Sequence, residues 1–172
     1  MILELLFYPG VIIHELTHFI ACVLLGVKVT KIKFGLKEAY VQHLDVNNWK
    51  TIIIALTPFI LSNVIALTII YFTLKIKPAF YVFGLVLWLA LTIIYHSVPS
   101  RKDVDNVDKK IIGIYKNISS KNVLLLVPLF ILNTVIFIPL KIFTFILIIF
   151  NKYPLLKIIL IIAVFQISFL FL

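Results

Sequence analysis

His14-Glu15-Leu16-Thr17-His18 places two imidazoles and a carboxylate within five consecutive residues. On a helix, positions i and i+4 lie one turn apart on one face, separated by ~6 Å along the axis. That spacing lets both imidazoles bind one Zn²⁺ ion, and Glu15 stays free to take the proton of a reacting water. The chemistry this predicts is metal-assisted hydrolysis, with His14 and His18 as metal ligands and Glu15 as the catalytic base. A catalytic zinc site usually has three protein ligands and one open position. The remaining candidates are His43, Asp45, His96, Asp103, Asp105 and Asp108. Asp103 is favoured as the third metal ligand. It is the first acid after an apolar run, and Pro99 can break the helix there and turn the chain inward. His96 is the main competitor, and a solvated acidic loop is the ordinary alternative for the three aspartates.

The motif sits in an apolar setting. Val11, Ile12 and Ile13 precede it, and Phe19, Ile20, Val23, Leu24 and Leu25 follow. Ionisable groups inside a membrane are costly, so such a cluster reads as a functional site by default. The composition supports a membrane setting: 172 residues, 63% hydrophobic and only 13% charged, with a mean hydropathy of +1.17. A soluble domain of this length does not need so much apolar surface. The net charge of +9 then reads as lysine-rich loops beside anionic lipid, with no nucleic-acid partner. The single Cys22 excludes an intrachain disulfide. It falls one turn after His18, and a small buried thiol is its commoner role. The N-terminus lacks a basic leader and a small-residue cleavage site, so the first segment is expected to be retained.

These features predict an all-α polytopic membrane protein with about five transmembrane helices and a short β-hairpin after the first. A helix needs about 20 apolar residues to cross a bilayer. The expected spans are roughly Leu5–Val27, Trp49–Leu74, Ala79–Val98, Val123–Phe150 and Leu155–Leu172. The fourth contains Pro128, Pro139 and Lys141, which predict a kink or a split. Residues 1–172 form a single membrane-embedded domain in this reading, with a catalytic core over about 1–105 and additional helices over 122–172. Between the first two spans, branched and aromatic residues around Gly35 predict the hairpin, expected to lie at the mouth of the site. An exposed strand edge there could pair with an unwound peptide. The stretch Pro99–Lys121 reads as a polar connection, partly helical around Ile111–Tyr115. Lysine and arginine concentrate in the two long connections, so both are expected in the cytoplasm and the N-terminus outside.

An HExxH motif in the first apolar span and a later aspartate near a span end resemble the site-2 proteases, the intramembrane zinc metalloproteases. Tyr8-Pro9-Gly10 leading into the motif, and Val98-Pro99-Ser100 leading to Asp103, look like a compact prokaryotic branch of that group. The resemblance covers roughly the first 105 residues. It implies Zn²⁺ bound by His14, His18 and Asp103, with water activated by Glu15. It also implies a transmembrane protein substrate and residence in the lipid bilayer of a prokaryotic plasma membrane. The chain has no Leu-Asp-Gly sequence, where the family commonly supplies its aspartate. Thr57-Pro58-Phe59-Ile60-Leu61-Ser62-Asn63 matches the family's Gly-Pro-x-x-Asn element only loosely. Asn63 is accordingly a candidate for substrate binding, and equally for a hydrogen bond between helices. Two other classes stay open: a membrane metalloenzyme of another reaction type, and an inactive metal-binding scaffold or carrier.

Overall fold

Helices and one hairpin form where the apolar and turn signals fall, but their ends are set by specific caps. The computed structural model describes residues 2–35, 38–119, 135 and 138–170. Along the chain run α1 (Ile2–Leu24), β1 (Val29–Lys33), β2 (Tyr40–His43), α2 (Asn48–Ile76) and α3 (Phe80–Ser97). They are followed by α4 (Arg101–Ser119), α5 (Ile138–Lys152) and α6 (Pro154–Leu170).

Helix α1 ends at Gly26, whose φ of +63° lies in the left-handed region that glycine enters without strain. The Val27 amide donates to Cys22 O at 2.8 Å and the Gly26 amide to Val23 O at 3.1 Å. This Schellman closure brings Val27 onto Cys22, and both are buried with Ala21 and Ile54. The chain then enters the hairpin, in which β1 and β2 pair antiparallel, with Ile32 opposite Val41 and Lys33 opposite Tyr40. Helix α2 starts at Asn47, whose side chain accepts from the Lys50 amide at 2.9 Å.

The core is a seam between α2 and α3, where Ala66 and Ile70 meet Ala90, Ile93 and Ile94, with Val164 of α6 against them. Small residues let helices approach closely. Helices α1 and α3 approach closely at Gly10, where a Cβ would lie 2.1 Å from Thr92 O. Outside the seams, large apolar side chains face outward, among them Ile60 at 64%, Ile76 at 71% and Phe80 at 91% exposure. Among the described residues, three stretches are long and apolar enough to cross a membrane: Leu5–Leu24, Asn48–Ile76 and Phe80–Ile112.

Among the described residues, the tail of the chain forms a bent helix pair where the sequence predicts the fourth and fifth spans. Helices α5 and α6 meet at a bend of 112° and qualify as a span only when counted together. The Asn151 side-chain Nδ2 donates to Pro99 O at 2.6 Å, which holds this corner beside the α3–α4 junction. The Asn151–Pro154 turn therefore lies at the far end of α3 from Lys75–Lys77, not on their side as five successive crossings would place it. The first part of the expected fourth span, residues 123–134, lies outside the described residues. The stretch after Pro99 also differs: it is helical over the whole of Arg101–Ser119. Its charges mask a stripe of Val104, Val107 and Ile111, all buried, at three- and four-residue spacing. Val107 and Ile111 pack on Ile52 and Ala55 of α2.

The α1–α3 contact yields a test. Gly10→Ala should lower the stability of the purified protein by about 1–3 kcal/mol, because the Thr92 backbone cannot yield as a side chain would. Gly84→Ala, which meets nothing within 4 Å, should leave it unchanged or slightly raised. Thermal melts of both variants in the same detergent check this. Equal melting temperatures for the two would contradict the close packing.

Candidate metal centre

Helix α1 puts His14 and His18 on one face, with ring centroids 5.0 Å apart. Both are buried, at 7% and 6% exposure. The third group comes from the first turn of α4. Asp103 Oδ2 lies 3.8 Å from His14 Nε2 and 3.5 Å from His18 Nε2. One ligand atom from each residue falls within 4.8 Å of the others. Ligands on a tetrahedral ion at 2.0–2.1 Å are about 3.3 Å apart, so small side-chain rotations close the set.

The sequence folds Asp103 into this position through a helix cap. Pro99 has no N–H and ends α3. Ser100 then caps α4: its Oγ accepts from the Asp103 amide at 3.2 Å, and Asp103 Oδ2 accepts from the Ser100 amide at 2.9 Å. This is a reciprocal capping box, with the acid three residues after the serine. The Ser100 hydroxyl also donates to Oδ2, at 2.5 Å. The oxygen that closes the cap is the one that faces both imidazoles.

Each imidazole is oriented by a backbone carbonyl from a different helix. His14 Nδ1 lies 2.6 Å from His96 O, and His18 Nδ1 lies 2.9 Å from Ile54 O. A ring nitrogen facing a carbonyl must carry the proton to bond it, which leaves Nε2 with the lone pair. Such outer bonds fix the tautomer and ring plane of a metal-binding histidine. Both Nε2 atoms are thus free to accept a cation, and Asp103 supplies a negative charge beside them. The donor set of two neutral imidazoles and one carboxylate suits Zn²⁺.

A cleft of about 180 Å³ opens beside the three groups, with Glu15, His18, Asp103, Tyr40, Val41 and His43 among its lining residues. It has room for several waters. Glu15 is only partly buried, and its carboxylate borders this space without belonging to the ligand group. Strand β2 forms one wall, so the hairpin lies at the mouth, as the sequence predicts.

Of the other candidates, His43 lines the cleft outside the ligand group, and the rest are placed elsewhere. His96 contributes its carbonyl, while its imidazole packs against Phe7 and Tyr95 with Nε2 buried and unbonded. Asp105 is exposed, and Asp108 lies 3.5 Å from Thr144 Oγ1. Asp45 pairs with Lys110 at 2.9 Å, and that ammonium holds its carboxyl below the usual range. Cys22 is fully buried among apolar residues. Asn63, for which the sequence leaves substrate binding and a hydrogen bond between helices equally open, does not border the cleft. It donates to Phe59 O at 2.6 Å and to Ser97 Oγ at 3.0 Å in the α2–α3 seam. Nine residues along α2 from Ile54, it lies about 13 Å away along the axis. Sequence reasoning missed the cap, although a serine three residues before an acid and directly after a proline is a readable helix start.

Comparison of the chain with family models, curated proteins and solved structures gives no match. The assignment of the site therefore rests on its own chemistry. If Asp103 is the third ligand, Asp103→Ala should weaken zinc binding at least 10-fold, and His96→Ala should leave it within about threefold. Chelator competition on the purified variants measures both. The reverse ranking would make the His96 imidazole the ligand.

Proposed function

We propose that this chain is an intramembrane zinc endopeptidase of the site-2 protease type. The observation that carries the reading is the convergence of two imidazole Nε2 atoms and a carboxylate next to an open cleft bordered by Glu15. That arrangement lies within a bundle whose outward residues are apolar. His14, His18 and Asp103 would hold the ion. When bound, Zn²⁺ supplies Lewis-acid polarisation of the scissile carbonyl and lowers the pKa of the attacking water.

The chain's own groups do the rest. Glu15 takes the proton from the water and returns it to the leaving amine. The cap on Asp103 and the carbonyls on His14 and His18 keep the ligand atoms in place, so little reorganisation accompanies reaction. The substrate is a membrane-embedded protein segment. Its helical peptide bonds are enclosed by internal hydrogen bonds, so it must unwind before attack. Strand β2 walls the cleft and offers an extended surface beside which an unwound segment can lie. Water reaches the scissile bond through the same cleft, since lipid supplies none. A carrier would have no need of a free carboxylate beside its ligands.

Glu15→Gln tests this mechanism, because the amide cannot accept the proton. The variant should bind zinc within about threefold of wild type. It should cleave reporter transmembrane segments in proteoliposomes at least 10²-fold more slowly. Near-normal cleavage by Glu15→Gln would remove the proposed base, and normal zinc content with no cleavage by wild type would point to another reaction.

A further inference from the structure

The two carbonyls that hold the histidines share a feature: neither has its usual helical donor. In a regular helix the Ile54 carbonyl accepts from the amide of residue 58. Residue 58 is proline, which has no N–H and whose ring presses against the carbonyl four residues back. Pro58 lies inside α2 and is fully buried. The Ile54 oxygen, left without a ladder partner, lies 2.9 Å from His18 Nδ1. The His96 carbonyl would similarly accept from the Ser100 amide. That amide donates to Asp103 Oδ2 at 2.9 Å, and His96 O is left for His14 Nδ1 at 2.6 Å.

We infer that Pro58 is a positioning residue of the metal centre: it keeps the Ile54 carbonyl free within α2, and that carbonyl fixes His18 with Nε2 turned towards Asp103. A carbonyl engaged in the helix ladder points along the helix axis and is a poorer acceptor for a side chain. A proline one turn later removes the competing amide and tilts the oxygen outward. A proline in a helix interior weakens that helix, so its position one turn after the His18 acceptor has a reason in the site. For its bearing on catalysis this rests on the zinc reading above. The orientation of His18 can be read without any metal.

The experiment uses the full chain in detergent, labelled with ¹⁵N-histidine. NMR of the metal-free protein reads the His18 tautomer, assigned by its loss in His18→Gln. Wild type should show His18 protonated at Nδ1. Pro58→Ala supplies an amide to compete for Ile54 O, so the Nδ1–H form should lose its dominance. Zinc affinity by chelator competition should fall about 10–100-fold. The metal-free melting temperature should match or exceed that of wild type, because the helix regains a bond. Pro58→Ser and Pro58→Leu should act alike, since each restores an N–H whatever its side chain. Pro9→Ala supplies an amide to a carbonyl that neither ligand histidine uses and should leave the tautomer unchanged. An unchanged His18 tautomer in folded Pro58 variants overturns the inference, even if zinc affinity and melting temperature fall together. A shifted tautomer in a protein that never binds zinc would uphold the role of Pro58 and remove the zinc reading.

Discussion

Two hydrogen bonds constrain the whole site: His14 Nδ1 to His96 O and His18 Nδ1 to Ile54 O. An imidazole buried in an apolar bundle must have its N–H satisfied, and an unmet buried donor costs about 1–3 kcal/mol. Here the partners come from α3 and α2, so satisfying the histidines of α1 joins three helices at one level. The same bonds determine which nitrogen keeps a lone pair. Packing follows from this requirement. The α3 carbonyl row can reach His14 only because Gly10, one turn earlier on α1, lets Thr92 O approach to a distance no Cβ would allow.

Asp103 links the stability of α4 to the composition of the site. Its carboxylate closes the capping box with Ser100 and faces both Nε2 atoms. A cap of this kind contributes about 0.5–2 kcal/mol to its helix. A carboxylate tied down in this way also loses little freedom on binding a cation. The amphipathic face of α4 then seats the cap, with Val107 and Ile111 against α2 and Val104 against Leu147 of α5. The Asn151 bond to Pro99 O places the α5–α6 corner against the same junction.

The cleft resolves a conflict between reaction and surroundings. The proposed hydrolysis needs water, and the outward faces of the helices are apolar. Opening the cleft between α1, the hairpin and α4 gives Glu15 contact with water while His14 and His18 stay buried. Burial keeps the ligand geometry rigid, and the partial exposure of Glu15 leaves it able to exchange a proton.

The sequence by itself determined the pair His14 and His18, the free Glu15 beside them, the helical apolar segments and the hairpin after the first. Those features are local: a five-residue motif, runs of apolar side chains and a glycine among branched residues carry their own geometry. It also narrowed the third group to a few residues, because acids and histidines are scarce in this chain. The sequence pointed elsewhere for the α5–α6 corner and the length of α4. Hydropathy measures transfer from water and carries no information on which neighbour a helix end will meet. Residue type left Asn63 open to a site role or a bond between helices, and the rise along α2 carries it to the level of Ser97. Only the tertiary structure decided that Asp103 rather than the His96 imidazole faces the motif, and that His96 and Ile54 contribute carbonyls. Backbone oxygens are the same at every position in a sequence. What distinguishes these two is a missing or diverted amide four residues later, together with a neighbouring helix close enough to use the oxygen left free.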